Sequence, residues 1–173
     1  MIDLNQYQHC IYHVHPVTIE AVVKNESHFN PLALHVNGLK TSPPQPKTQH
    51  EAVKQANRYI KQGYSVDIGL MQINSKNLNA FGITVNQAFT PCTNIHLGSK
   101  ILYRSYQRAL KINKAPNVAF KIALSYYNTG HPYRGFRNGY VDKYIHAPTT
   151  HPFLTASAKA KQITSFYFTS PDS

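Results

Sequence analysis

Residues 93–112 constrain the fold of this chain more than any other stretch. Ile95, Gly98, Ile101, Leu102, Tyr106, Ala109 and Leu110 recur at helical spacing, which places them on one face of a long amphipathic helix. Gly98 within that face lets a neighbouring element approach closely. A helix with one apolar side must be covered, so the rest of the chain has to build a core around it.

The other patterns build that core mostly from helices. Pro16 through Glu26 reads as the first helix, with Pro16 suited to its first turn. Residues 1–15 read as polar and irregular, and residues 35–47, with Gly38, Pro43, Pro44 and Pro46, as a loop. Thr48-Gln49-His50-Glu51 is a capping-box pattern. It opens a helix that carries Ala52, Ala56, Tyr59 and Ile60 inward, stops at Gly63, and commits Glu51 to a backbone N–H. Val66 to Asn74 is apolar and interrupted by Gly69, so it reads as one buried extended piece. Ser75 is placed to cap a short helix ending before Gly82, and Thr84 to Gln87 repeat the capping box before Pro91. Pro116 opens a helix through Tyr126 or Tyr127, stopped by Asn128-Thr129-Gly130. Gly135 and Gly139 bracket a loop, and Tyr140 to Ile145 restart a short helix. Six or seven helices with one small extended region make the fold class α+β, mainly α. The expected organisation is one domain over residues 1–148 and a Ser- and Thr-enriched tail over 149–173.

Composition narrows the partners. Eighteen Lys and Arg stand against seven Asp and Glu, a net charge of +11, which suits a polyanionic partner. No run of four basic residues occurs and no nucleic-acid motif accompanies the charge, so nucleic acid is not expected. No run reaches the length of a membrane span. The start, Met1-Ile2-Asp3-Leu4, lacks the basic and apolar regions of a signal peptide. Cys10 and Cys92 fit either two buried thiols in a cytosolic protein or a disulfide in an exported one. His9, His13 and His15 surround Cys10 without a recognised set of further ligands, so no metal is expected.

Acid chemistry has to come from Asp3, Glu20, Glu26, Glu51, Asp67, Asp142 or Asp172. Glu26 lies four residues after Val22 and seven after Ile19, on the apolar side of the first helix and at its negative dipole end. Both conditions raise a carboxyl pKa, as a general acid requires. A glutamate at a frayed helix end, reaching water, is the plain alternative. Three further stretches look over-specified for packing: Gly69-Leu70-Met71-Gln72-Ile73-Asn74, Tyr126-Tyr127-Asn128-Thr129-Gly130 and Gly139-Tyr140-Val141. Amides and tyrosines of this kind suit sugars, whose hydroxyls need paired donors and acceptors and whose ring faces need flat apolar partners.

Glu26-Ser27-x-Phe29-Asn30-Pro31, the Gly69–Asn74 stretch, Tyr127-Asn128-Thr129-Gly130 and Gly139-Tyr140-Val141 occur in the order of the four motifs of lytic transglycosylases. The chain resembles that family over residues 10–145, and most of all its conjugation, type IV secretion and pilus branch. Pro91-Cys92-x-Asn94-Ile95 belongs to the same likeness. The resemblance implies a lysozyme-like fold with a two-lobed sugar-binding cleft. It also implies cleavage of the β-1,4 bond between N-acetylmuramic acid and N-acetylglucosamine, leaving a 1,6-anhydro end. By position, Glu26 is then the acid and base. Ser27, Met71, Gln72, Asn74, Tyr127, Asn128 and Tyr140 match the motif positions that contact substrate or support the site, and Tyr140 can hydrogen-bond Glu26. Tyr126 departs from the family, where Ala is common. The resemblance further implies a Cys10–Cys92 disulfide, a periplasmic protein whose signal peptide has been removed, a monomer and no cofactor. The implied partners are peptidoglycan strands and components of a secretion or pilus machine. Two alternatives stand beside it: a muramidase hydrolase using Asp67 as base, since two-carboxylate hydrolysis needs a second acid, and a wall-binding scaffold with little activity.

Overall fold

The computed structural model describes residues 2–145. The expected tail over 149–173 lies outside the described residues. The chain divides into two compact units, the first made of residues up to Cys10 with Val22–Gly98 and the second of Ile11–Ala21 with Ser99 onward. Helices α1 (Pro16–Ser27) and α4 (Pro91–Leu110) contribute residues to both.

In the first unit, Leu4–Cys10 form a 3-10 helix, where an irregular segment was expected. Cys10 is bonded to Cys92 across the unit, with Cα atoms 5.3 Å apart. The bond joins residues 82 apart in sequence, and closing such a loop removes denatured-state freedom worth about 4–5 kcal/mol at most. Strands β1 (Leu34–Val36), β2 (Val66–Ile68) and β3 (Ile73–Asn74) form an antiparallel sheet in the order β1-β2-β3. Leu34 pairs with Ile68, and Asp67 with both His35 and Asn74. The period of two sorts the faces. Leu34, Val36, Val66, Ile68 and Ile73 are buried, whereas His35 is exposed and Asp67 and Asn74 are half-buried.

The single extended piece expected over 66–74 is therefore a hairpin. Gly69 and Gln72 take positive φ, +73° and +48°, and turn the chain between β2 and β3. Strand β1 takes the first residues of the loop expected over 35–47, and it leaves no sequence pattern because it is three residues long and opens directly into the Pro-rich stretch. From that loop the Gln45 side chain returns to β1. Its Oε1 accepts from the Leu34 N–H at 3.0 Å and its Nε2 donates to the Leu34 carbonyl at 2.9 Å.

Helix α2 (Gln49–Lys61) is capped by Thr48, whose side chain accepts from the Glu51 N–H. The Glu51 carboxylate accepts from the Lys47 N–H instead of closing the expected box onto Thr48. At Thr84 the reciprocal box is complete with Gln87 and opens α3 (Val85–Ala88). The helix expected after Ser75 is two 3-10 turns, Ser75–Asn77 and Asn79–Phe81. Asn74 caps the first of them, because the Ser75 hydroxyl is occupied by the Val66 N–H.

The second unit takes the later half of α4 together with α5 (Pro116–Thr129), α6 (Arg134–Arg137) and α7 (Asp142–Ile145). Gly130, at φ +69°, ends α5 as expected from its motif. The loop expected between Gly135 and Gly139 is partly the one-turn helix α6. Gly135 lies inside it and packs directly on α5, where an added Cβ would stand 2.7 Å from the Ser125 Cα. The class is α+β and mainly α, as the periodicity indicated.

Candidate active site

Glu26 sits one residue before the end of α1 and is half-buried, next to the buried Val22, Val23 and Ser27. The Ser27 hydroxyl donates to the Val23 carbonyl at 3.0 Å. That bond turns the serine inward along the helix and gives it a structural task. Immediately after it, His28 and Phe29 take left-handed conformations, φ +51° and +62°. Each costs about 1–2 kcal/mol for a residue with a Cβ. The turn is held by the Asn30 N–H on the Ser27 carbonyl and by the Asn30 side chain, which accepts from the Leu32 N–H. The motif from Glu26 to Pro31 is thus a helix stop that fixes the backbone directly after the acid.

The second motif lies in the same unit. Asn94, buried on α4, divides its amide between the hairpin and the end of α3. Its Oδ1 accepts from the Met71 N–H at 2.8 Å, and its Nδ2 donates to the carbonyls of Ile68 and Ala88 at 2.8 and 2.7 Å. An added Cβ on Gly69 would fall 2.5 Å from that Nδ2. Met71 is fully buried against Gly98, where a Cβ would fall 2.5 Å from its sulfur. Met71 was expected to line a sugar cleft; it has no exposed surface and supports the turn from beneath. Gln72 is the half-exposed member. Its Nε2 donates to the carbonyls of Ala33 and Gly69 at 3.2 and 2.9 Å, so its Oε1 is the part of the amide not used by the fold. The motif pattern assigns Asn94 no role. The signal was available: an amide on the inward face of an apolar helix must find buried partners.

Asp67 is clasped from both sides. Its Oδ2 accepts from Asn37 at 2.8 Å and its Oδ1 from Asn74 at 2.6 Å. Burial pushes its carboxyl above the ordinary range, and the two amides and nearby His35 offset part of that. Asn74 was expected to contact substrate. Its Nδ2 goes to Asp67 and its Oδ1 accepts from the Lys76 N–H, so the amide ties the sheet to the next turn.

The third and fourth motifs belong to the second unit. Tyr127 is half-buried and Asn128 exposed at the end of α5, with the Asn128 Oδ1 accepting from Asn138 at 2.9 Å. Beneath them Ser125 is fully buried. Its Oγ donates to the His131 carbonyl and accepts from the Gly135 N–H, both at 2.8 Å. Tyr140 is 5% exposed, and its hydroxyl meets that of Tyr144 at 3.0 Å. Among the described residues, one grouping has metal-ligand composition: His9, Cys10 and Cys92, with atoms within 4.8 Å of one another. Its two sulfurs are joined, so neither is a thiolate able to hold an ion.

Residues 3–144 match the family model of the transglycosylase SLT domain. The chain belongs to the SLT transglycosylase family. Among known relatives, a type IV secretion system protein virB1 of Brucella abortus is 36% identical over 155 residues, covering 85% of this chain and 65% of the relative. A protein virB1 of Rhizobium radiobacter is 37% identical over 135 residues, 78% of this chain and 55% of the relative. The SLT chain thus spans about two thirds or less of the length of these curated relatives. No solved structure matches it. Among its described residues, no helix is long and apolar enough to cross a membrane.

Proposed function

We propose that this SLT domain is a lytic transglycosylase, cleaving the β-1,4 bond between N-acetylmuramic acid and N-acetylglucosamine and leaving a 1,6-anhydro end. Glu26 protonates the glycosidic oxygen and then takes the proton from the sugar's own C6 hydroxyl, so no water enters. Gln72, Tyr127, Asn128 and Tyr140 serve the glycan, while Ser27, Met71 and Asn74 hold backbone and turns. The catalytic domain spans residues 1–148, with 149–173 a tail. The place of action is the periplasm, where local opening of the wall serves a secretion machine. The virB1 names of the relatives support that setting.

The observation that carries the reading is the state of the two candidate acids. Glu26 stands half-buried in the first motif, ahead of a strained turn. Asp67, the only rival, has both oxygens engaged by amides of its own sheet. That supports a single acid/base, which suits a reaction needing no second carboxylate. Mass spectrometry of muropeptides released from sacculi tests it. Wild type should give anhydro ends, and Glu26→Gln should lose at least about a hundredfold in rate while melting like wild type. Reducing ends would overturn the transglycosylase in favour of a hydrolase. Undiminished lysis by Glu26→Gln would remove Glu26 from the chemistry.

A further inference from the structure

The positive charge of this chain is unevenly held. Among the described residues the second unit has nine Lys and Arg against two acids, Glu20 and Asp142, a net of +7; the first has seven against four, a net of +3. No linear run betrays this, because the cations of α4 are arranged by helical period. Lys100, Arg104, Arg108 and Lys111 follow one another at steps of four, four and three, which keeps them on one face of α4 and its last turn. Arg104, Arg108 and Lys111 are exposed and Lys100 is half-buried. The first three span about 12 Å of helix.

Two members of the row rest on aromatic rings. The Lys100 Nζ lies 5.3 Å from the centroid of Tyr12, and the Arg108 guanidinium 4.3 Å from that of Tyr126. A guanidinium stacked on a ring is held flat, and its rim of N–H donors stays open to a carboxylate, which it can take with two parallel bonds. Tyr126 directly precedes Tyr127 of the third motif. Its ring supplies a platform for a cation beside a residue assigned to the glycan. Nine like charges in a small unit also repel one another, so the arrangement has a cost that a bound anion would offset.

We propose that the Lys100–Arg104–Arg108–Lys111 row is a binding site for the carboxylates of peptidoglycan stem peptides, centred on Arg108 over Tyr126. The proposal deepens the reading of the chain as a peptidoglycan enzyme and rests on it. The glycan itself offers hydroxyls and N-acetyl groups, which the motif amides and tyrosines suit. The stem peptides are the regularly repeated anionic part of the same polymer, which matches a row of cations better than a single one.

The test uses the whole chain carrying Glu26→Gln, so that substrate is not consumed. Binding is measured to intact sacculi and to glycan stripped of stem peptides by an amidase, at low and at high salt. The expected result is about tenfold tighter binding to intact sacculi at low salt, a preference that shrinks as salt rises. Adding Arg104→Gln, Arg108→Gln and Lys111→Gln should abolish the preference in a variant that still unfolds cooperatively. Arg108→Lys alone should lose part of it, because the charge remains but the two-pronged contact does not. Equal binding to both materials overturns the proposal and leaves an acidic protein face as the partner of the row. A triple variant that keeps the preference also overturns it. Release of anhydro muropeptides by the chain with Glu26 intact is read separately. Its absence would sink the transglycosylase reading, whereas its presence alongside equal binding would sink only the stem-peptide site.

Discussion

Asn94 in the first unit and Ser125 in the second solve the same problem by different means. Each is a buried polar side chain on a helix that grips the backbone of a neighbouring turn beneath a motif. Each works beside a glycine whose hydrogen stands where a Cβ would collide, Gly69 against Asn94 and Gly135 against Ser125. Asn94 makes three bonds with one amide, two of them reaching 23 and 26 residues away to the hairpin and one six residues away to Ala88. Ser125 reaches six and ten residues along the chain and makes two with one hydroxyl. The hairpin turn has positive φ at both of its ends and depends on a long-range clamp. The α5–α6 connection is short enough for a local one. Motif geometry in this chain is therefore set from the buried side, with the amount of clamping matched to the strain of the turn.

Substitutions can break that comparison in order of size. Gly69→Ala should cost about 3–5 kcal/mol, since it combines a left-handed Cβ with a clash on a buried amide. Denaturant melts would measure it, and a cost below that of Gly135→Ala would reverse the ranking. Asn94→Ala should come next at about 3 kcal/mol, leaving a buried N–H and two carbonyls to find new partners. Ser125→Ala should cost about 1–2 kcal/mol, chiefly for the orphaned Gly135 N–H. Equal losses for the two would mean that the extra bonds of Asn94 add nothing.

Asp67 provides the finest measurement. Burial holds its carboxyl above the unfolded value, so folding favours the protonated form. Its contribution to stability is present at acid pH and is lost as pH rises through the folded pKa. Asparagine does not ionise. The stability of Asp67→Asn relative to wild type should therefore improve slightly as pH rises through the carboxylate range, read from urea midpoints at each pH. A difference that moves the other way would show that the Asn37 and Asn74 bonds outweigh burial.

Much of this fold was legible because helices announce themselves over many residues. The apolar row of α4, the caps at Thr48 and Thr84 and the stops at Gly63, Gly82 and Gly130 are local signals, and they are where the sequence puts them. The resemblance to lytic transglycosylases paired Cys10 with Cys92, and the structure has that bond. What stayed hidden is non-local or short. Strand β1 has three residues and is defined by its partner β2. Asn74 looked like a sugar ligand until the sheet register placed it opposite Asp67. Met71 sits in a motif that faces substrate in name, yet its burial follows from Gly98 on a helix twenty-seven residues on. The row of cations on α4 was invisible to a search for runs, since its period is that of the helix.

Gln45 carries one more consequence. A three-residue strand at the margin of a sheet ordinarily offers its N–H and C=O groups to any extended chain that drifts past. At Leu34 both groups are already taken by one side-chain amide that imitates a neighbouring strand. At that residue the margin of the small sheet offers no open pair to another strand. Ordering one glutamine thus keeps the sheet of the described residues from recruiting a further strand at Leu34.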